Sequence, residues 1–241
     1  AYRDVGGIAP NVVQGHSCVH YFVRAPKSYQ VQEILARVID VAEGAAKMTG
    51  TEMSYELYAG LSDYIPNHVV SEVLQGAFDE IGAPDFDDKD YELARKFFYE
   101  AYTPEEVESK KAAMRKRYGQ LAEVLFEKPL HSSVAPLRYN VGIQYGSSDV
   151  GDASYVMPTA WLGTATATIG TPSHTWQMTA HGNTEIAHKA MLAAGKSMAL
   201  AGIKVFENPE LAEKARKEWM EETGGEYQCP IPKEIGPRLN E

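Results

Sequence analysis

The chain has 241 residues, ample for a sizeable core in one large domain or two smaller ones. Its 44% apolar and 23% charged content is ordinary for a soluble globular protein, and no apolar run nears the ~18 residues that span a membrane. A net charge of −10 repels nucleic acid and anionic lipid, which disfavours both as partners.

The chain opens Ala1-Tyr2-Arg3-Asp4, without Met, directly before Gly6-Gly7. Residues 17–24 (SCVHYFVR) are rich in Val, Tyr and Phe and predict a strand ended by Ala25-Pro26. Val31, Ile34, Leu35, Val38, Val41, Ala42 and Ala45 then recur at helical spacing up to Gly50, an amphipathic helix. Residues 51–59 (TEMSYELYA) alternate and predict a second strand. Strand, helix and strand would pair either in parallel or as half of a ferredoxin-like unit.

Tyr64-Ile65-Pro66-Asn67 reads as a boundary. Asn67 caps a predicted helix carrying Val70, Val73, Leu74, Ala77, Phe78 and Ile81, and Gly82 ends it. Asp87 or Asp88 opens the next helix, with Tyr91, Ala94, Phe97 and Phe98. Thr103-Pro104-Glu105-Glu106 is a helix start, with Thr as cap, Pro in first position and Glu106 completing a capping box. The basic cluster on that helix (Lys110, Lys111, Arg115, Lys116, Arg117) reads as a solvated face that complements the dipole.

Residues 129–160 are rich in Pro, Gly, Ser and Tyr and predict a long irregular stretch, the kind that tends to be functional inside a compact domain. Residues 161–169 (WLGTATATI) predict a strand with a tight apolar face and a threonine face. A histidine-rich segment follows, and then a long Ala-, Gly- and Met-rich helix over 184–205. Asn208-Pro209-Glu210 starts a last helix to about Glu222.

Three stretches are candidates for chemistry. His174, His181 and His188 are spaced by seven and seven, with His174 in a loop after a strand, His181 in a loop and His188 one turn into a helix. On a helix that spacing separates side chains by ~10 Å along the axis. Nitrogen ligands of one metal each lie ~2.1 Å from it, so a local three-histidine site is disfavoured. A single ligand joined to distant segments, or a hydrogen-bonded structural histidine, remain the readings for each. The loop 146–152 (GSSDVGD) places Asp149 and Asp152 between glycines, either to hold calcium or substrate, to orient a ligand histidine, or as a plain polar turn. Asn11 offers an amide, and Arg24 at a strand end offers a bidentate fork for a carboxylate. The two cysteines, Cys18 and Cys229, form no metal or redox motif and read as free thiols in a reducing cytoplasm.

Taken together, residues 6–27 (GGIAPNVVQGHSCVHYFVRAPK), 63–87 (DYIPNHVVSEVLQGAFDEIGAPDFD), 146–160 (GSSDVGDASYVMPTA) and 170–191 (GTPSHTWQMTAHGNTEIAHKAM) resemble the M20 family of metallopeptidases and amidohydrolases, in particular its aminobenzoyl-glutamate hydrolases. They come in the family's order and span nearly the whole chain. The resemblance implies an α/β fold: the C-terminal part of a zinc-peptidase-like catalytic domain (residues 63–241) plus the second half of a ferredoxin-like α+β lid and dimerisation domain (residues 1–62). It implies hydrolysis of the amide bond of N-acyl amino acids such as p-aminobenzoyl-glutamate, with two divalent metal ions, zinc or else manganese or cobalt. His174 matches a metal ligand, Asn11 and Arg24 match residues that grip the substrate carboxylate, and Asp149 falls beside the site, behind a ligand or facing substrate.

The family's other ligands, its glutamate base and a lid histidine lie N-terminal to the part that this chain resembles, and its HxDxxP and Cys-Gly-His motifs are absent here. The expectation is therefore a C-terminal portion that carries no catalytic base, retains no metal alone and is inactive alone. Its implied partners are the missing N-terminal half and a second subunit, in a homodimer or heterodimer. A non-catalytic dimerisation or small-carboxylate-binding module is the alternative.

Overall fold

The computed structural model describes residues 1–139, 142–143 and 145–235. In chain order the elements are β1 (Tyr2–Asp4), β2 (Cys18–Val19), α1 (Ser28–Thr49), α2 (His68–Ile81), α3 (Asp88–Tyr99), α4 (Pro104–Tyr118), α5 (Leu121–Glu127), α6 (Val150–Val156), α7 (Trp176–His181), α8 (Glu185–Glu207) and α9 (Pro209–Thr223). The described chain is thus mostly helical, with one two-stranded sheet. It divides into two compact units. One holds Ala1–Tyr64, Gly142–Ala153 and Tyr227–Glu241, the other Ile65–Val141 and Ser154–Glu226.

In the first unit β1 and β2 run antiparallel, Tyr2 opposite Val19 and Asp4 opposite Cys18, with an irregularity between. The Ala1 amine and carbonyl both bond His20, at 2.8 and 2.7 Å. The strand expected over 17–24 therefore pairs for only two residues, and Arg24 lies beyond its end. The strand expected over 51–59 does not form. Alternation supplies two faces, but a strand also needs a backbone partner, and β1 with β2 is the only ladder among the described residues.

Helix α1 matches its sequence prediction and ends at Gly50, whose φ of 65° is left-handed. Its start is capped from a distance. Asp63 accepts from the Ser28 N–H at 3.1 Å, the Ser28 hydroxyl at 2.8 Å and the Lys27 ammonium at 2.9 Å. Burial alone would raise the Asp63 pKa, but these donors hold it below its ordinary value. No residue of α1 is fully buried, so its apolar face is only partly covered.

Helix α6 interrupts the stretch expected to be irregular. Asp152 holds this part of the unit together, accepting from the Ser62 N–H at 3.2 Å, the Ser62 hydroxyl at 2.6 Å and the Tyr227 hydroxyl at 3.0 Å. The preceding residue, Gly151, lies so close that a Cβ would collide with the Ser62 carbonyl. Gly151→Ala should cost roughly 1–3 kcal/mol, the usual range for overpacking, measured as a lower denaturation midpoint with faster proteolysis in 142–153. An unchanged midpoint would show that the approach is not needed.

The second unit is built on well-capped helices. Asn67 accepts from the Val70 N–H at 3.0 Å and donates to the Ala215 carbonyl at 2.9 Å. Glu218 of α9 accepts from the His68 and Val69 N–H groups at 2.8 and 3.1 Å, so three orphan donors of α2 find acceptors. Asp87 and Thr103 form the capping boxes that open α3 and α4. Leu74 and Ala77 of α2 pack with Ala201 of α8. Phe86, Tyr91, Ala94, Leu130 and Ile186 form a second cluster, and Phe98, Val107, Met114, Leu125, Phe126 and Ile169 share a third.

Two expectations are corrected here. Residues 161–169 form no strand among the described residues, and the Ile169 N–H reaches the Pro129 carbonyl at 2.9 Å. Lys110 is not on a solvated face. It sits three residues after buried Val107 and four before buried Met114, hence on the inner face of α4. Its ammonium lies 3.6 Å from the Tyr102 ring centroid and 4.5 Å from that of Phe98. Burial pushes its pKa down to about 8, against the pull of Glu106.

Candidate functional site

His174 stands in the loop between Ile169 and α7. The loop is tightly wound: the Thr171 N–H reaches the Thr168 carbonyl at 3.1 Å, and the Thr175 hydroxyl reaches the Pro172 carbonyl at 2.9 Å. Gly170 has φ 77°, and His174 itself has φ 59°, the only positive φ at a non-glycine among the described residues. A side chain there costs roughly 1–2 kcal/mol, a strain that gathers at functional sites. The imidazole is exposed to solvent. It is therefore not a packing group of the core.

His181 is the opposite case. It ends α7 rather than lying in a loop, and only 1% of it is exposed. Its Nε2 takes the Thr168 N–H at 3.2 Å and lies 2.8 Å from the Thr168 hydroxyl. Nε2 is thus an acceptor, so Nδ1 carries the proton and donates to the Gln177 carbonyl at 2.7 Å. The ring stacks on Phe97 at 3.8 Å. Burial lowers its pKa, the Lys110 charge adds to that, and the Gln177 carbonyl opposes it. His188 lies one turn into α8 and only pairs with Glu185 on the surface, at 3.5 Å. Of the three histidines, His174 is exposed, His188 is half-buried and His181 is buried.

Arg24, Asn11 and Asp149 are in the first unit, and His174 is in the second. The Arg24 guanidinium donates to the Ser147 hydroxyl at 2.9 Å and lies 5.3 Å from the Phe22 ring centroid. This brings Arg24 to the 146–152 loop. Asp149 directly precedes α6, is exposed, and accepts from the Ser148 hydroxyl at 3.3 Å. Of the two carboxylates in that loop, Asp152 is engaged structurally and Asp149 faces solvent. Asn11 is exposed in the turn closed by Val12 N–H on the Ala9 carbonyl, at 3.3 Å. No hydrogen bond joins it to Arg24 or Asp149 among the described residues.

No group of three or more His, Cys, Asp or Glu that could hold a metal occurs among the described residues. The His174 imidazole by itself does not fit a divalent ion that needs three protein ligands or more. Both cysteines are free, Cys229 exposed and Cys18 half-buried in β2. No helix among the described residues is long and apolar enough to cross a membrane. Sequence reading missed Lys110 and the cap at Asp63. The phase of Val107, Lys110 and Met114 on α4 was the available signal for Lys110.

No family model matches the chain, and no solved structure matches it. Among characterised proteins, one of the subunits of p-aminobenzoyl-glutamate hydrolase from Escherichia coli strain K12 is 34% identical over 242 residues, which cover 98% of this chain and 50% of that protein. The chain spans half the length of this relative. The resemblance carried by its motifs therefore holds along nearly the whole chain: these residues are similar to one half of an aminobenzoyl-glutamate hydrolase polypeptide.

Proposed function

We propose that the chain is the C-terminal portion of a metal-dependent amidohydrolase of the M20 type, which cleaves the amide bond of N-acyl amino acids such as p-aminobenzoyl-glutamate. The similarity over 98% of the chain to a hydrolase subunit carries this reading. In it, residues 1–62 are the second half of a lid and dimerisation domain, which accords with the partly covered face of α1. His174 supplies one ligand of a divalent-metal site, with zinc, manganese or cobalt as the ion, and the remaining ligands and the general base lie on the half that the chain does not match. Arg24 and Asn11 grip the carboxylate of the leaving amino acid. Asp149 stands beside them, facing substrate or supporting a ligand. The relative is by name one subunit of a hydrolase, so a second subunit, identical or related, is the proposed partner.

The test is release of the amino acid from p-aminobenzoyl-glutamate by the complete polypeptide. Arg24→Ala in that protein should raise KM roughly 10–100-fold and leave kcat nearly unchanged, because a charge-assisted hydrogen bond contributes about 1.5–3 kcal/mol. An unchanged KM would remove Arg24 from the site. Absence of any N-acyl amino acid hydrolysis would refute the reading.

A further inference from the structure

Helix α8 is apolar on two sides. One side, through Ile186, Ala190 and Ala201, is buried in the second unit. The other faces solvent: Met191 is 60% exposed, Met198 55%, Ile203 51% and Phe206 90%. Between them, a Cβ added at Gly195 or Gly202 would meet open space. Positions 191, 195, 198, 202 and 206 follow the helical repeat, so they form one stripe along ~22 Å of the helix. A helix at the surface of a finished domain is polar on its outer side, whereas one that is apolar all round lies inside a core. An exposed apolar stripe of this length marks a contact surface.

We infer that this stripe docks the part of a longer polypeptide that corresponds to the unmatched half of the relative, so that α8 is an interior helix of the complete domain. The inference rests on the reading in the preceding subsection. One observation favours that occupant over a second copy. About as much chain again as this one is present in the relative and absent here. On the buried side of α8, Ala160 and Leu162 pack against the cluster of Leu74, Ala77 and Ala201, and Ala165 against that of Ile186, so that side is already covered. The glycines let a second layer approach closely.

The experiment places Met198→Glu and Phe206→Glu separately in the 241-residue chain and in the complete polypeptide. In the chain alone, both should leave the melting temperature and the helical circular dichroism unchanged, since both side chains are exposed. In the complete polypeptide each should lower the melting temperature by roughly 10 °C, or remove the protein from the soluble fraction, while Met198→Leu retains it. Equal, negligible effects in both proteins would overturn the inference. So would a dimer of the 241-residue chain, seen by light scattering, that both glutamates dissolve, since the occupant would then be a second copy. A complete polypeptide that is destabilised as described yet hydrolyses no N-acyl amino acid would leave the docking intact and refute the hydrolase reading alone. Normal hydrolysis with no destabilisation would do the reverse.

Discussion

Replacing His174 by alanine in the complete polypeptide of the proposed hydrolase should reduce kcat/KM by more than about 100-fold. Losing a group that merely orients a metal ligand costs roughly 10–100-fold, so losing the ligand itself should cost more. The loss should come with a fall in bound metal. His174→Gly separates this from a folding defect. The backbone there has φ 59°, a conformation glycine adopts without strain. The glycine variant should therefore be as inactive as the alanine variant, yet match or exceed the parent in stability by about 1 kcal/mol. Full activity in either variant would remove His174 from the metal site.

His181→Ala should be the most destabilising single change among the histidines, at roughly 2–4 kcal/mol. It removes the stack on Phe97 and leaves a cavity in the second unit. It also strands the Thr168 N–H and the Gln177 carbonyl, both buried with the ring. The same side chain gives the protein an acid dependence. Its folded pKa lies below the ordinary 6.5, chiefly through burial, so the unfolded chain takes up its proton first as pH falls. The stability it contributes is complete above about pH 6.5 and declines below it toward the folded pKa. Burial and the Arg117 charge move His131 in the same direction, so it adds to the same decline. Urea midpoints of wild type and His181→Gln between pH 7 and 5 measure this. A wild-type midpoint that falls no faster than the variant's would show that the ring is not held neutral.

Helices and their caps were legible because their signals are local. Asn67, Asp87 and Thr103 each accept the early N–H groups that their side chains suit, and Gly50 ends α1 in the left-handed conformation. Strands were over-read at 17–24, 51–59 and 161–169, because alternation reports two faces and says nothing of a pairing partner. Helix α6 escaped notice because its seven residues give too few turns for a period. Glu218 at the start of α2 and Asp63 at the start of α1 are contacts across 150 and 35 residues, which no local pattern encodes. At the candidate site, spacing alone already disfavoured a three-histidine cluster. The resemblance had already singled out His174, and the fold exposes that residue and buries His181.

The most direct test is to incubate the purified 241-residue chain with zinc and then assay it for bound metal and for hydrolysis of p-aminobenzoyl-glutamate, beside the complete polypeptide. With no group of three or more ligating side chains among its described residues, this chain should keep no stoichiometric zinc and release no glutamate, while the complete polypeptide does both. One zinc held per chain together with turnover by these 241 residues alone would contradict the account.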